Sequence, residues 1–372
     1  MNPQTVFCPN IECPARGQVN KGNIHSHSHQ EKRCRCDVCE TTFSVTKGTL
    51  FYRLKTDAAT VMIVIVLLSY GCPIEAIVAA YGFDRRTVKK WWQRAGEHCQ
   101  AVHERLVASS QLDLVQVQAD EIKVKAWGRS LWMGLTMMVP TRLWLGGVIS
   151  ESRDKQMIES LVATIRQVAL CRHLLIAVDG LPHYMKAIWR AFRSPDPQGK
   201  QGRPKLVAWP HVFIGRVIKR KAKGILTIER QFLNSCRQQA ATLIAASQGF
   251  NGVLNTAYIE RLNATFRQRL AWLSRRSRML VHQVETLEAG MYVVGCFYNL
   301  CDPHKSLRIK LAFGSFRHRW VQRTPAMAAG LSDHIWSHQE LLTYPLPPSR
   351  WQPPKKRGRR SKAVQALVDK WC

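Results

Sequence analysis

Leu174-Leu-Ile-Ala-Val-Asp179-Gly180 is five apolar residues in a row, closed by a carboxylate and a glycine. A strand apolar on both faces is stable only inside a sheet covered on both sides, which commits the chain to an α/β layering. Its aspartate then emerges at the strand's carboxyl end, where ligands bind in such sheets. Before it, residues 154–170 read as an amphipathic helix with Met157, Ile158, Leu161, Ile165 and Val168 on one face. Further upstream, Leu114-Val-Gln-Val-Gln-Ala-Asp120-Glu121 alternates as a strand that ends in two carboxylates. Leu131–Val139 and Leu143–Ile149 follow with basic or turn residues between them, so three strands in hairpin succession are expected.

Carboxylates are scarce here: 25 Asp and Glu stand against 55 Lys and Arg, a formal net charge of +30. An acid closing an apolar strand therefore needs a reason. A third candidate is Glu260, in Asn255-Thr-Ala-Tyr-Ile-Glu260-Arg-Leu-Asn263-Ala-Thr-Phe-Arg. This segment reads as a helix with Ile259, Leu262 and Phe266 toward the core; Glu260 and Asn263 share one face, flanked by Arg261 and Arg267. Asp120, Asp179 and Glu260 brought together would repel unless cations neutralised them. Hard oxygen ligands select Mg²⁺ or Mn²⁺, and two ions about 4 Å apart activate a water or hydroxyl and stabilise the leaving oxygen of a phosphodiester. Glu121 is the alternative ligand to Asp120. The bland alternatives are a turn role for Asp179 and an ion pair of Glu260 with Arg261 or Arg267. Strand, strand, strand, helix, strand is the order of a ribonuclease H-like core, a mixed sheet flanked by helices.

Cysteines cluster at the front, as Cys8-Pro-Asn-Ile-Glu-Cys13 and Cys34-Arg-Cys36-Asp-Val-Cys39. Two close pairs across a short loop can set four thiolates around Zn²⁺, which holds together a segment too small for its own core. Cys8, Cys13, Cys36 and Cys39 are the expected ligands, because a two-residue gap makes the tight turn both sulfurs need. Cys34, with only Arg35 between it and Cys36, is left out of the set. His25, His27 and His29 are the substitute ligands, or else a solvated loop. The chain is long and its cysteines cluster only at the front, so metal in a reducing cytoplasm is expected over disulfides.

Residues 56–106 read as helical. Ile74, Ile77 and Val78 form one face, Gly82 breaks the helix, and Asp84 caps a second helix carrying Val88 and Trp91 inward. A short helix, a glycine turn and a capped basic helix make a helix-turn-helix pattern, with Arg85, Arg86, Lys89 and Lys90 suited to base edges and phosphates. Val61–Leu68 is its buried first helix, too short to span a membrane. The N-terminus has no basic leader or apolar stretch, so no signal peptide is expected.

A field of this sign gathers phosphates. Lys200, Arg203, Lys205, Arg216, Lys219, Arg220, Lys221 and Lys223 make an acid-free basic flap between the second and third carboxylates. In it, Pro195–Pro204 is expected to be partly disordered and Val212–Ile228 partly strand. Arg261, Arg267, Arg269, Arg275, Arg276 and Arg278 form a second run, within which Trp272 is core or a stacking surface for an unpaired base. Pro353-Pro-Lys-Lys-Arg-Gly-Arg-Arg is a phosphate-binding arm or a solvated end.

Taken together, Cys8/Cys13/Cys36/Cys39, Gly82–Trp92, Gln118-Ala-Asp120-Glu121, Val178-Asp179-Gly180 and Asn255–Asn263 resemble the DDE, ribonuclease H-like transposases of bacterial insertion sequences, particularly the insertion-sequence-one type. Tyr298-Asn-Leu-Cys-Asp-Pro-His304-Lys-Ser-Leu307 and Thr324–Leu331 extend the resemblance to about residue 340, although Asp302 stands where relatives often carry Arg. The resemblance implies an α/β fold in four parts: a zinc ribbon over 1–50, a helix-turn-helix domain over 51–110, a ribonuclease H-like catalytic domain over 111–310 with a basic insertion at about 195–250, and a C-terminal extension over 311–372. It implies Asp120, Asp179 and Glu260 as metal ligands, Asn263 as an assisting residue, and Mg²⁺ (or Mn²⁺) with Zn²⁺ as cofactors. It further implies cleavage and strand transfer on double-stranded DNA, both element ends and target. The protein would be a homodimer or higher oligomer, cytoplasmic and nucleoid-associated, with no membrane partner. The competing expectations are a zinc-ribbon and helix-turn-helix regulator with an inactive core, and a metal-dependent nuclease or resolvase that cuts without joining.

Overall fold

The computed structural model describes residues 6–196, 204–222, 225–233, 237–274, 279–312, 319–348, 366–367 and 369–370. They divide into two compact units, Met1–Arg53 with Pro345–Cys372, and Leu54–Tyr344. The first holds a three-stranded antiparallel sheet, β1 (Ile24–Ser28), β2 (Arg33–Cys36) and β3 (Thr42–Ser44), whose small core combines Ile24, Phe43 and Cys34 with other buried cysteines.

Three helices open the second unit: α1 (Ala58–Ser69), α2 (Ile74–Tyr81) and α3 (Arg85–His103). Asp84 caps α3 as its position predicts, accepting from the amides of Arg86 and Thr87. Gly82 takes the left-handed conformation (φ 70°) that ends α2, costly for any residue with a Cβ. The second half of α3 is buried at Ala95, Gly96, Cys99 and Val102.

Next come β4 (Gln116–Ala126), β5 (Arg129–Met138) and β6 (Trp144–Ser150), then α4 (Lys155–Val168), β7 (Leu174–Val178) and α5 (His183–Ala191). A short ladder of β8 (Arg193–Asp196) and β9 (Lys205–Ala208) precedes the long strands β10 (Val212–Ala222) and β11 (Ile225–Phe232). The main sheet has six strands in the order β11-β10-β7-β4-β5-β6. β4, β5 and β6 are the expected antiparallel meander; β7 runs parallel to β4, and β10 parallel to β7. All five residues of β7 are buried, as a both-faces-apolar strand requires. One face packs on α4, whose Leu161 lies against Gly134. The other carries α6 (Arg237–Gln248), through Ile244 on Leu175, Ala177, Phe213 and Val217, and α7 (Ala257–Arg269). α8 (Val284–Cys296), a two-residue ladder of β12 (Ile309–Lys310) with β13 (Trp320–Val321), α9 (Pro325–Ala328) and α10 (His338–Thr343) complete the unit. The architecture is therefore mixed α/β, a six-stranded mixed sheet flanked by helices.

Three expectations change. β4 does not end at its carboxylates but continues to Ala126, because Ile122, Val124 and Ala126 stay buried on one face while Lys123 and Lys125 reach solvent. The expected basic flap contains an interior strand: Val212–Val217 lie mostly buried in the sheet, while Lys205–Ala208, Lys219–Ala222 and most of β11 stand exposed. Packing also ignores a boundary near residue 110, since α3 lies so close to α8 that a Cβ on Gly96 would fall 2.3 Å from the Cα of Ala289. Among the described residues no helix is long and apolar enough to cross a membrane.

The approach of α3 to α8 is testable. Gly96→Ala should lower stability by about 1–3 kcal/mol, the usual cost of overpacking a tight contact, read from the urea midpoint.

Candidate functional site

The carboxylates gather where β7 stops. Beyond Gln118, β4 keeps only β5 as ladder partner, and Asp120 lies in that half-open stretch. Asp179 follows β7 directly and accepts from the Leu181 amide at 2.9 Å. One oxygen each of Asp120, Glu121 and Asp179 lie within 4.8 Å of one another, a set that could hold a metal ion. Glu260, on α7, is outside that tight set but lines the same cleft of about 310 Å³ with Asp120, Asp179, Gly180, Lys219 and Thr256. Thr256 Oγ1 donates to it at 2.7 Å, and the Lys219 ammonium pairs with it.

Gln118 sets the position of α7. Buried on β4, it donates through Nε2 to the Asn255 carbonyl at 2.7 Å and accepts from the Ile259 amide at 2.9 Å. The first turn of α7 is thereby pinned two residues from Asp120. Farther along the helix, Asn263 donates through Nδ2 to Asp120 at 2.8 Å, while its Oδ1 is buried with no hydrogen-bond partner. Such an acceptor beside a carboxylate suits a hydrogen bond from water as well as a cation.

Glu121 faces the other side of β4, as alternation along a strand requires. Its side chain is buried and receives a hydrogen bond from Tyr184 of α5. Arg153 holds it through Nε at 2.8 Å and Nη2 at 2.6 Å, and the same Nη2 lies 2.6 Å from Asp179. Two cations, Arg153 and Lys219, thus pair directly with Glu121, Asp179 and Glu260. With Asp120 counted, four carboxylates less two cations leaves two negative charges, the complement of one divalent ion. Burial, and then the charge of Glu121, pushes Asp120 up to about 6, with Asp179 and Glu260 adding to it. Burial also raises Glu121, opposed by Tyr184 and Arg153.

In the first unit, sulfurs of Cys8, Cys13, Cys36 and Cys39 lie within 4.8 Å of one another, a second set that could hold a metal. Cys34 is not in it; on β2 it packs with Ile24 and Phe43. His25 instead pairs with Asp37 at 2.8 Å, and His27 and His29 are exposed. Burial drives the Cys8 and Cys13 thiols up. At Cys39 burial acts the same way, but hydrogen bonds involving Thr41 and Asn10 outweigh it and bring the thiol down to about 6.

The expected nucleic-acid contacts scatter. Arg86 and Lys90 are exposed on α3, Lys89 is half-buried, and Arg85 pairs with Glu75 at 2.7 Å. Arg220 lies 3.8 Å from Glu229; Lys221 and Arg261 are exposed and Arg267 is half-buried. Arg203, Arg275 and Arg276 lie outside the described residues, as do Lys200, Lys223, Arg278 and the basic run 353–360. Trp272 is half-buried and lines a cavity of about 370 Å³ that Arg85 and Lys89 share. Asp302 is half-buried against Arg269 at 2.8 Å, which accounts for an acid at that position. Sequence reasoning missed Arg153 and Tyr184 as site residues. Arg153 sits in a polar loop without periodicity, and Tyr184 reads as ordinary core; Gln116 and Gln118, two glutamines alternating in an otherwise apolar strand, were the one available signal of a buried polar face.

An acid whose folded pKa lies above its unfolded value stabilises the fold most while protonated. Asp120's contribution is therefore lost as pH rises from 3.8 through about 6. Without divalent cations, Asp120→Asn should raise stability at pH 7.5 by about 1–3 kcal/mol and flatten the loss between pH 4 and 6, measured by urea unfolding. No family model matches the chain, and no curated protein matches its sequence.

Proposed function

We propose that the chain is a metal-dependent DNA strand-transfer enzyme, a DDE-type transposase with a ribonuclease H-like core. The observation that carries the reading is the single cleft lined by Asp120, Asp179 and Glu260, contributed by β4, the end of β7 and α7. The strand order supports it: an antiparallel meander whose first strand is flanked in parallel by β7, and that by β10. Asp120, Asp179 and Glu260 would hold Mg²⁺ or Mn²⁺, with Glu121 available beside them. Hard oxygen donors, the two-charge deficit and the bare Asn263 Oδ1 fit such ions. Bound there, they supply Lewis acidity toward phosphodiester oxygens. Lys219 and Arg153 temper repulsion between the carboxylates and an incoming phosphate, and Asn263 orients Asp120. A water attacks phosphorus at an element end, breaking its bond to the 3′ oxygen, which leaves as a hydroxyl. That hydroxyl then attacks a target phosphodiester and displaces the target strand's own 3′ oxygen.

α2, Gly82 and the basic start of α3 support a helix-turn-helix reader, and the four-cysteine set supports a zinc ribbon. Joining two ends calls for a dimer or higher assembly.

Purified protein with Mg²⁺ and labelled duplexes bearing the sequences that flank the gene should nick and join. Asp179→Asn should retain duplex binding but lose about a hundredfold or more in both steps, since Lewis-acid stabilisation is worth several kcal/mol. Normal joining by that variant would overturn the assignment; cutting without joining would favour a nuclease or resolvase, and specific binding without cutting a regulator. Metal analysis should find zinc at one ion per chain. Cys36→Ser should lose it and speed proteolysis of residues 6–53, whereas Cys34→Ser should keep it.

A further inference from the structure

On a side of α7 away from the carboxylate cleft, the second unit contains a separate cavity of about 260 Å³. Arg142, Arg261, His304 and Lys305 line it together with hydroxyls such as those of Tyr258 and Ser306, and no carboxylate is among its described lining residues. The acids nearest along the chain, Glu260 and Asp302, are committed to Lys219 and Arg269. Arg142 is held in place: its guanidinium carbon sits 3.8 Å from the centre of the Tyr258 ring, and it donates to the Val139 carbonyl. No acid pairs with it among the described residues, and its backbone adopts φ 60°, a left-handed strain of the kind that persists where a side chain must be aimed. Burial, then Arg142 and Arg261, disfavours the charged form of His304, whose Nδ1 lies 2.9 Å from Ser306 Oγ. Arg142 is half-buried, whereas Arg261 and Lys305 are exposed at the rim. Cations gathered around one cavity without a counter-charge repel one another, and an oxyanion relieves that repulsion through charge-assisted hydrogen bonds.

We propose that this cavity is a phosphate site, in which Arg142, Arg261 and Lys305 take the charge of a tetrahedral oxyanion and the hydroxyls of Tyr258 and Ser306 take its remaining hydrogen bonds. The site stands on its own residues. Only the source of the phosphate, a backbone group of a DNA strand lying along α7, rests on the strand-transfer reading. Arg261 is the residue after Glu260, so a strand held here is placed one helix face away from the cleft.

The full-length protein is titrated with inorganic phosphate while the His304 ring resonance is followed by NMR, and duplex affinity is measured across a salt series. Phosphate should shift the His304 signal with saturation, and Arg261→Gln and Lys305→Gln should each weaken that response about tenfold. If the phosphate belongs to DNA, each variant should also lower the slope of log affinity against log salt by about 0.9. A saturable response to inorganic phosphate with unchanged slopes keeps the site and assigns it to free phosphate. No His304 response together with unchanged slopes overturns the proposal, even if the protein joins strands. Failure to join with the His304 response intact overturns the strand-transfer reading instead.

Discussion

The organisation of the second unit follows from one electrostatic constraint: four carboxylates share the end of a buried sheet while, among the described residues, two cations pair with them. Like charges so close in a partly desolvated place raise the free energy of the fold, and burial adds to the cost. The surroundings do not remove this repulsion. They fix its geometry. Arg153 ties Glu121 to Asp179, Tyr184 anchors Glu121 from behind, and Gln118 welds the first turn of α7 to β4 so that Asn263 meets Asp120. Such strain is held most readily on rigid elements, and all but Arg153 and Asp179 of these residues sit on strands or helices.

Much of this was legible in the sequence, because periodicity and capping are local. β7 spans the apolar run that predicts it, and α4 begins directly after the capping Asp154. α7 presents Ile259, Leu262 and Phe266 to the core as their spacing demands. The cysteine set could be chosen from the two-residue gap of Cys36-Asp-Val-Cys39, not from strand alternation, since Cys34 and Cys36 are two apart and both buried on one face of β2. What could not be read is what depends on distant partners. Arg153 acquires its role only when the loop before α4 meets the end of β7. The first half of β10 looked like part of a basic flap because Lys219, Arg220 and Lys221 continue directly from its apolar residues, and only the sheet shows where the interior ends.

The chain's excess of 30 positive charges is not spread evenly over function. Lys219 and Arg153 are consumed within the acidic cleft, Arg269 by Asp302, and Arg85 by Glu75. The cations of the smaller cavity are the exception, since Arg142 is half-buried, stacked on Tyr258 and without an acid partner among the described residues. One helix, α7, therefore separates a site short of positive charge from a site short of negative charge.

The first unit draws on both ends of the chain: the Leu346 amide donates to the Gly48 carbonyl at 3.1 Å, and Pro347 lies beside Gly17. A ribosome delivers Gly48 long before Leu346. The cysteine-bearing segment must therefore wait, with part of its surface uncovered, while the whole sheet unit is synthesised. A metal captured early would protect its thiols during that interval.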